Sequence, residues 1–279
     1  MAFLRKRETA EKPEKLQETI APKVTAKQPL KYLVANLQGV GRRNSQEDSF
    51  AFGNALNEEA ITKNGLLVVV ADGMGGMKSG RQASEIVATC LLKSLDSFDL
   101  SGDIVRQLNT AVLAANDRVF EQLKGCGGST VVVGLIYQEK LYFTSVGDSY
   151  VFLLHDYQLV RINRSQNVLN REYLDDILNG IIKPEIAAQN PEKDAITQFI
   201  GMQELEELDC FQRPLHLCPG DVLLFCSDGV GGVLDTQCLA ECLRHGTPSD
   251  MCTAIEAEIQ NRKLRYQDNY TALIVQCRN

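Results

Sequence analysis

The chain has 279 residues, long enough for one large domain or two ordinary ones, and 44% of them are hydrophobic, enough for a sizeable core. Its formal charge of −7 is uneven: residues 1–31 hold eight Lys/Arg against four Glu, and the remainder, with 21 basic and 32 acidic residues, stands at −11, which argues against a nucleic-acid surface. No run of 18 apolar residues occurs, no hydrophobic signal core follows MAFLRKRE, and nine cysteines include no CxxC pair; these features predict a soluble cytoplasmic protein with free thiols, no membrane segment, no disulfide framework and no zinc site.

Residues 1–29, rich in Glu, Lys, Thr, Ala and Pro, read as a flexible basic N-terminal extension, and residues 30–279 as the globular domain. YLVANLQ from Tyr32 predicts a strand, followed by the polar stretch GVGRRNSQEDSFAF. In that stretch Arg42 and Arg43 stand close to Glu47 and Asp48; the set reads either as a surface ion-pair cluster or as a phosphate fork beside a metal ligand. Residues 53–65 are expected to form a hairpin loop.

LLVVVADGMGG from Leu66 is too short and too β-branched for a helix, so Asp72 falls where a buried strand leaves the core, with Gly73, Gly75 and Gly76 allowing a tight turn and close approach of a ligand. Apolar residues at helical spacing then predict helices over 81–98 and 104–123. STVVVGLI, LYFTSV, YVFLL and LVRI follow as a meander expected to supply most of one antiparallel sheet. Residues 163–198 turn polar and helical, either a lid or a decoration at a sheet edge. A second buried strand, VLLFC, ends in another Asp-Gly; two helices over 237–244 and 249–264 and a final strand entered through YQDNYT close the chain.

Asp48, Asp72, Asp148, Asp228 and Asp268 thus all stand at strand ends or in adjoining loops. Five acids in equivalent places repel one another unless cations lie among them, and oxygen ligands without a usable Cys/His cluster select Mg²⁺ or Mn²⁺. Such ions support hydrolysis of a phosphoryl group. No GxxxxGK[ST], GxSxG or HExxH occurs, and the three histidines read as surface residues.

In order, Arg43 with Glu47-Asp48, DGMGG at 72–76, GGST at 127–130, GDSY at 147–150, CSDGV at 226–230 and DNYT at 268–271 resemble the motifs of the metal-dependent PPM/PP2C family of Ser/Thr protein phosphatases in its bacterial form. The resemblance implies an α+β fold, a four-layer α-β-β-α sandwich of two antiparallel sheets flanked by helices, with residues 165–198 as its flap. It implies two Mn²⁺ or Mg²⁺ ions with Asp72 between them, the Gly73 carbonyl, Asp228 and Asp268 on one, Asp48 and Glu47 on the other directly or through water, and Asp148 at a third, weaker site. Arg43, or Arg42 one register away, matches the phosphate-binding arginine. Two departures concern the flap side: Tyr150 replaces the Arg of GDSR, and RINRS at 161–165 replaces TRDHS. Met74 stands where many eukaryotic members have a His proposed as general acid.

The function expected is hydrolysis of phosphoserine and phosphothreonine by a metal-bridged water, in bacterial signalling opposite a Ser/Thr kinase, by a monomer whose partners are phosphorylated proteins. A catalytically inactive phosphopeptide-binding module and a phosphatase of small phosphate esters are the alternatives.

Overall fold

The computed structural model describes residues 29–74 and 79–279. The expected N-terminal extension, apart from Pro29, lies outside the described residues, as do Gly75 and Gly76. In chain order the strands are β1 (Lys31–Gly39), β2 (Ser49–Gly53), β3 (Leu66–Ala71), β4 (Val131–Tyr137), β5 (Lys140–Val146), β6 (Tyr150–His155), β7 (Gln158–Arg161), β8 (Asp209–Cys210), β9 (Leu215–His216), β10 (Val222–Cys226) and β11 (Tyr270–Arg278). The helices are α1 (Glu58–Asn64), α2 (Gly80–Ser94), α3 (Ile104–Leu123), α4 (Leu174–Leu178), α5 (Pro184–Ala187), α6 (Asp228–Gly231), α7 (Thr236–Leu243) and α8 (Pro248–Arg262).

Every strand pairing is antiparallel. One sheet runs β1-β11-β10-β6-β7 and the other β2-β3-β4-β5-β8, with β9 also on β5. Side-chain alternation explains why the core strands are apolar on both faces. In β3, Leu67, Val69 and Ala71 pack with α2 and α3, whereas Leu66, Val68 and Val70 meet the opposite sheet. In β10, Val222, Leu224 and Cys226 pack with α7 and α8, whereas Leu223 and Phe225 point between the sheets. Three apolar layers thus separate four structural layers, the α-β-β-α sandwich. Among the described residues, no helix is long and apolar enough to cross a membrane.

Two local expectations differ. The connection between β2 and β3 holds a helix, α1, whose start is fixed by Asn57 Oδ1 accepting from the Ala60 amide at 3.0 Å. The four-strand meander does not stay in one sheet: β4 and β5 belong to one and β6 and β7 to the other. The crossing is made at Gly147–Ser149, where Gly147 has φ +97°, open to glycine without strain. Alternation shows which residues are buried but not which sheet a strand joins.

The registers collect the acids at one end of the sandwich. Ser49 opposite Ala71 sets Asp48 beside Asp72. Cys226, paired to Tyr150 on one side and Ala272 on the other, brings Asp148, Asp228 and Asp268 to the same edge.

Candidate metal centre

A cavity of about 190 Å³ opens at that end, lined among others by Asp72, Gly73, Asp148, Asp228 and Asp268, with Glu47 and Arg43. Asp48 does not line it; its carboxylate lies beneath, 5% exposed. The structure therefore brings every residue expected at the site into one place. Arg43 lines the cavity and Arg42 does not.

Each acid is held by its backbone or by hydroxyls. The Thr130 amide and the Ser129 hydroxyl donate to the Asp72 carbonyl at 2.9 and 3.0 Å. A Cβ on Gly73 would collide with the carbonyl oxygens of Glu47 and Gly80, so three segments can converge there only on glycine. Ser227 and Thr271 donate to Asp48 Oδ2 at 2.9 and 2.7 Å. Asn269 accepts from the Glu47 amide at 2.8 Å and donates to the carbonyls of Val40 and Ser45 at 2.9 and 3.0 Å, tying the arginine loop to β11. Arg43 Nη2 reaches Asp268 Oδ2 at 2.6 Å on the half-exposed rim.

The electrostatics are those of crowded, buried acids. Burial, opposed by the Thr271 and Ser227 hydroxyls, pushes Asp48 up to about 6. Burial and then the Asp228 charge push Asp148 up to about 6. Asp72 rises well above the carboxylate range through burial and the charges of Asp48, Asp228 and Asp148, and Asp228 rises through burial and Asp268.

Glu47 Oε2, Asp48 Oδ1 and Asp228 Oδ1 are buried with no hydrogen-bond donor. A buried carboxylate oxygen without a donor is costly, and three such oxygens in a group with the four raised aspartates form a donor set that fits hard divalent cations. The residues therefore suit the metals the resemblance implies.

The two flap-side departures meet in space. The Arg161 guanidinium lies 3.8 Å over the centre of the Tyr150 ring. Its Nη2 donates to the carbonyls of Asp148 and Ser149 at 3.3 and 3.2 Å and to Ser165 Oγ at 2.8 Å. An arginine from RINRS thus fixes the loop that carries Asp148 and stacks on the tyrosine of GDSY. Ile196, from residues 165–198, lines the cavity together with Met74.

Sequence reasoning did not single out Ser227, Thr271, Thr130 or Asn269. Their signal lay within the motifs already noted, as the polar neighbours of Asp228, Asp268 and the GGST strand.

Comparison with known proteins identifies relatives in sequence and in fold. The family model for protein phosphatase 2C matches residues 34–171. A protein phosphatase 2C-type protein of Streptococcus pyogenes is 30% identical over 205 residues, 71% of this chain and 78% of that one. The solved Streptococcus agalactiae serine/threonine phosphatase superposes with TM-score 0.76 at 25% identity, covering 88% of this chain and 99% of that one. The catalytic domain of the serine/threonine protein phosphatase PstP from Mycobacterium tuberculosis, solved with two manganese ions, shares the fold with TM-score 0.69 at 24% identity, covering 90% and 99%.

Proposed function

The chain belongs to the protein phosphatase 2C family, and from that membership we propose that it is a serine/threonine protein phosphatase whose reaction takes place in the acidic cavity with Mn²⁺ or Mg²⁺. The observation that carries this reading is the convergence of four aspartates and Glu47 on one cavity, with Asp48 buried beneath it and three donorless carboxylate oxygens in the group. The manganese ions of the PstP catalytic domain support it.

Asp72, which feels the charges of Asp48, Asp228 and Asp148 together, would help hold both cations. The Gly73 carbonyl, Asp228 and Asp268 would help hold one cation, Asp48 and Glu47, directly or through water, the other, and Asp148 a third. When bound, these cations supply Lewis acidity to phosphoryl oxygens and bring the pKa of water toward neutrality.

The remaining work falls to the chain's own residues. Arg43 sits on the rim with its guanidinium exposed enough to fork onto a phosphate, and Asp268 holds it in place until the phosphate arrives. Asn269 and Gly73 keep the Arg43 loop and the Asp72 turn in fixed relation, so the phosphate is presented in one orientation. Met74 has no proton to give, so the leaving seryl or threonyl oxygen takes its proton from water. Residues 165–198 act as the flap and place Ile196 against the substrate side chain.

Nine free cysteines and the lack of a membrane-length helix among the described residues support a reducing cytoplasm as the site of action. There the protein would act as a monomer on the products of a Ser/Thr kinase.

The test is phosphate release from a phosphothreonine peptide and from p-nitrophenyl phosphate, each with Mn²⁺, Mg²⁺ or excess EDTA. Metal-dependent release from the peptide is expected. Release from the small ester alone would reassign the substrate class, and release from neither, with metal bound by calorimetry, would make the domain a phosphopeptide-binding module.

A further inference from the structure

At the end of the sandwich opposite the acidic cavity, His155 closes β6 while Cys218 and Asp221 flank the Pro219-Gly220 turn leading into β10. One imidazole nitrogen, the Cys218 sulfur and one carboxylate oxygen of Asp221 all lie within 4.8 Å of one another. The strand directions fix the separation of the two ends, because Asp221 precedes β10 and Asp228 follows it.

We propose that these three side chains form a zinc site distinct from the oxygen-ligand centre. A thiolate, an imidazole and a carboxylate make the mixed donor set that suits Zn²⁺ and Co²⁺, whereas Mg²⁺ and Mn²⁺ favour oxygen alone. His155 Nδ1 and Asp221 Oδ1 are joined by a hydrogen bond of 2.7 Å, which holds imidazole and carboxylate together and whose proton an entering ion would displace. The other ring nitrogen, Nε2, lies 3.6 Å from Asp156 Oδ2, beyond hydrogen-bond distance, on the side of the ring turned to solvent.

The scaffold is built rather than accidental in its rigidity. Asp221 is 2% exposed, and its second oxygen accepts from the Cys218 amide at 2.8 Å, which locks the two ligands of the turn in one relation. The Cys277 amide donates to the Asp221 carbonyl at 2.8 Å and the Gly220 amide to the Cys277 carbonyl at 2.9 Å, so the turn is stitched to β11. His155 is about half exposed, which gives the ion a way in from solvent and leaves a fourth position to water. A bound ion would join the β6–β7 hairpin to the β9–β10 turn across two neighbouring strands.

Co²⁺ reports on this site independently of catalysis, because only a thiolate ligand gives the sulfur-to-cobalt charge-transfer absorption in the near ultraviolet. The full chain, stripped with EDTA, desalted and saturated with Mg²⁺, is titrated with Co²⁺ and then with Zn²⁺. One equivalent of Co²⁺ should develop the band, and Zn²⁺ should displace it. Cys218→Ser should abolish the band and His155→Gln should weaken Co²⁺ binding at least tenfold, while Asp72→Asn leaves both unchanged. His155→Gln tests the site without disturbing the turn that Asp221 holds. Absence of the band in the wild type, or its survival in Cys218→Ser, for instance through Cys238 and Cys242 on α7, would overturn the assignment.

Discussion

Replacing Asp48 with Asn should stabilise the protein in EDTA and destabilise it relative to wild type in Mn²⁺. Burial raises Asp48 from 3.8 to about 6. A carboxyl whose pKa is higher in the folded state favours folding while protonated, so its contribution is complete below pH 3.8 and lost as pH rises through about 6. At about 1.4 kcal/mol per pH unit, the ion-free fold gives up about 3 kcal/mol to this one group between pH 4 and 7. Asn keeps an oxygen to accept from Ser227 and Thr271 and puts an N–H₂ where Oδ1 has no donor. The weaker hydrogen bonds of a neutral acceptor cost about 1 kcal/mol, which leaves a gain of about 2 kcal/mol at pH 7.5. For a domain of this size that is a rise of about 4–8 °C in Tm. The assay is thermal unfolding of wild type and variant at pH 5 and 7.5, in EDTA and in Mn²⁺. The variant should unfold later than wild type only in EDTA at the higher pH, and the order should reverse in Mn²⁺, where wild type gains its ligand. A variant that unfolds earlier in EDTA at pH 7.5, or a wild type whose stability does not fall over this range, would refute the reasoning.

Asp72→Asn removes the acid proposed to hold both cations and should lower Mn²⁺-dependent turnover on a phosphothreonine peptide by about a thousandfold or more, with weakened Mn²⁺ binding by calorimetry. Arg43→Ala should cost about tenfold to a hundredfold in kcat/KM, chiefly through KM; an unchanged KM would move phosphate binding elsewhere. Arg161→Ala removes the donor to the Asp148 carbonyl and one of the two donors to the Ser149 carbonyl, Asn163 keeping the other, and should lower stability by about 1–2 kcal/mol, read by urea unfolding, together with the weakest Mn²⁺ affinity. His155 is raised by its bond to Asp221, so its stabilising charge is fully present below pH 6.5 and fades as pH climbs past its folded value; NMR titration in EDTA should return it to an ordinary histidine in Asp221→Asn.

Much of this molecule can be read from local pattern. The valine run of β3 and the stripe of α3 appear where burial and spacing put them, and Ile104–Leu123 matches its expected bounds to the residue. α1 escaped because its only buried residue is Ile61, so it has no apolar stripe to give it away. The division of β4–β5 from β6–β7 escaped because a strand buried on both faces looks the same in either sheet. At the site, the charged residues announce themselves through motifs, whereas the hydroxyls of Ser227 and Thr271 have meaning only once two distant strands set them on Asp48. The Arg161–Tyr150 stack and the meeting of His155 with Cys218 likewise depend on pairings between segments, which composition and periodicity do not encode.

The place of β11 bears on how the chain folds. It lies between β1 and β10, and its ladder with β1 runs from Lys31 opposite Arg278 to Gly39 opposite Tyr270, joining the two extremes of the domain. Closing so long a loop delays that ladder, because its entropy must be spent before the contacts return anything. Asp268 and Asn269 stand just ahead of β11, and Asn269 anchors the loop of Arg43 and Glu47. A folding chain that has formed only the β2–β3–β4–β5 sheet holds Asp48 and Asp72 and none of the later acids. Asp228 and Asp268 join Asp48 and Asp72 only when β10 and β11 are in place, so the full set of oxygen donors exists only in the finished fold.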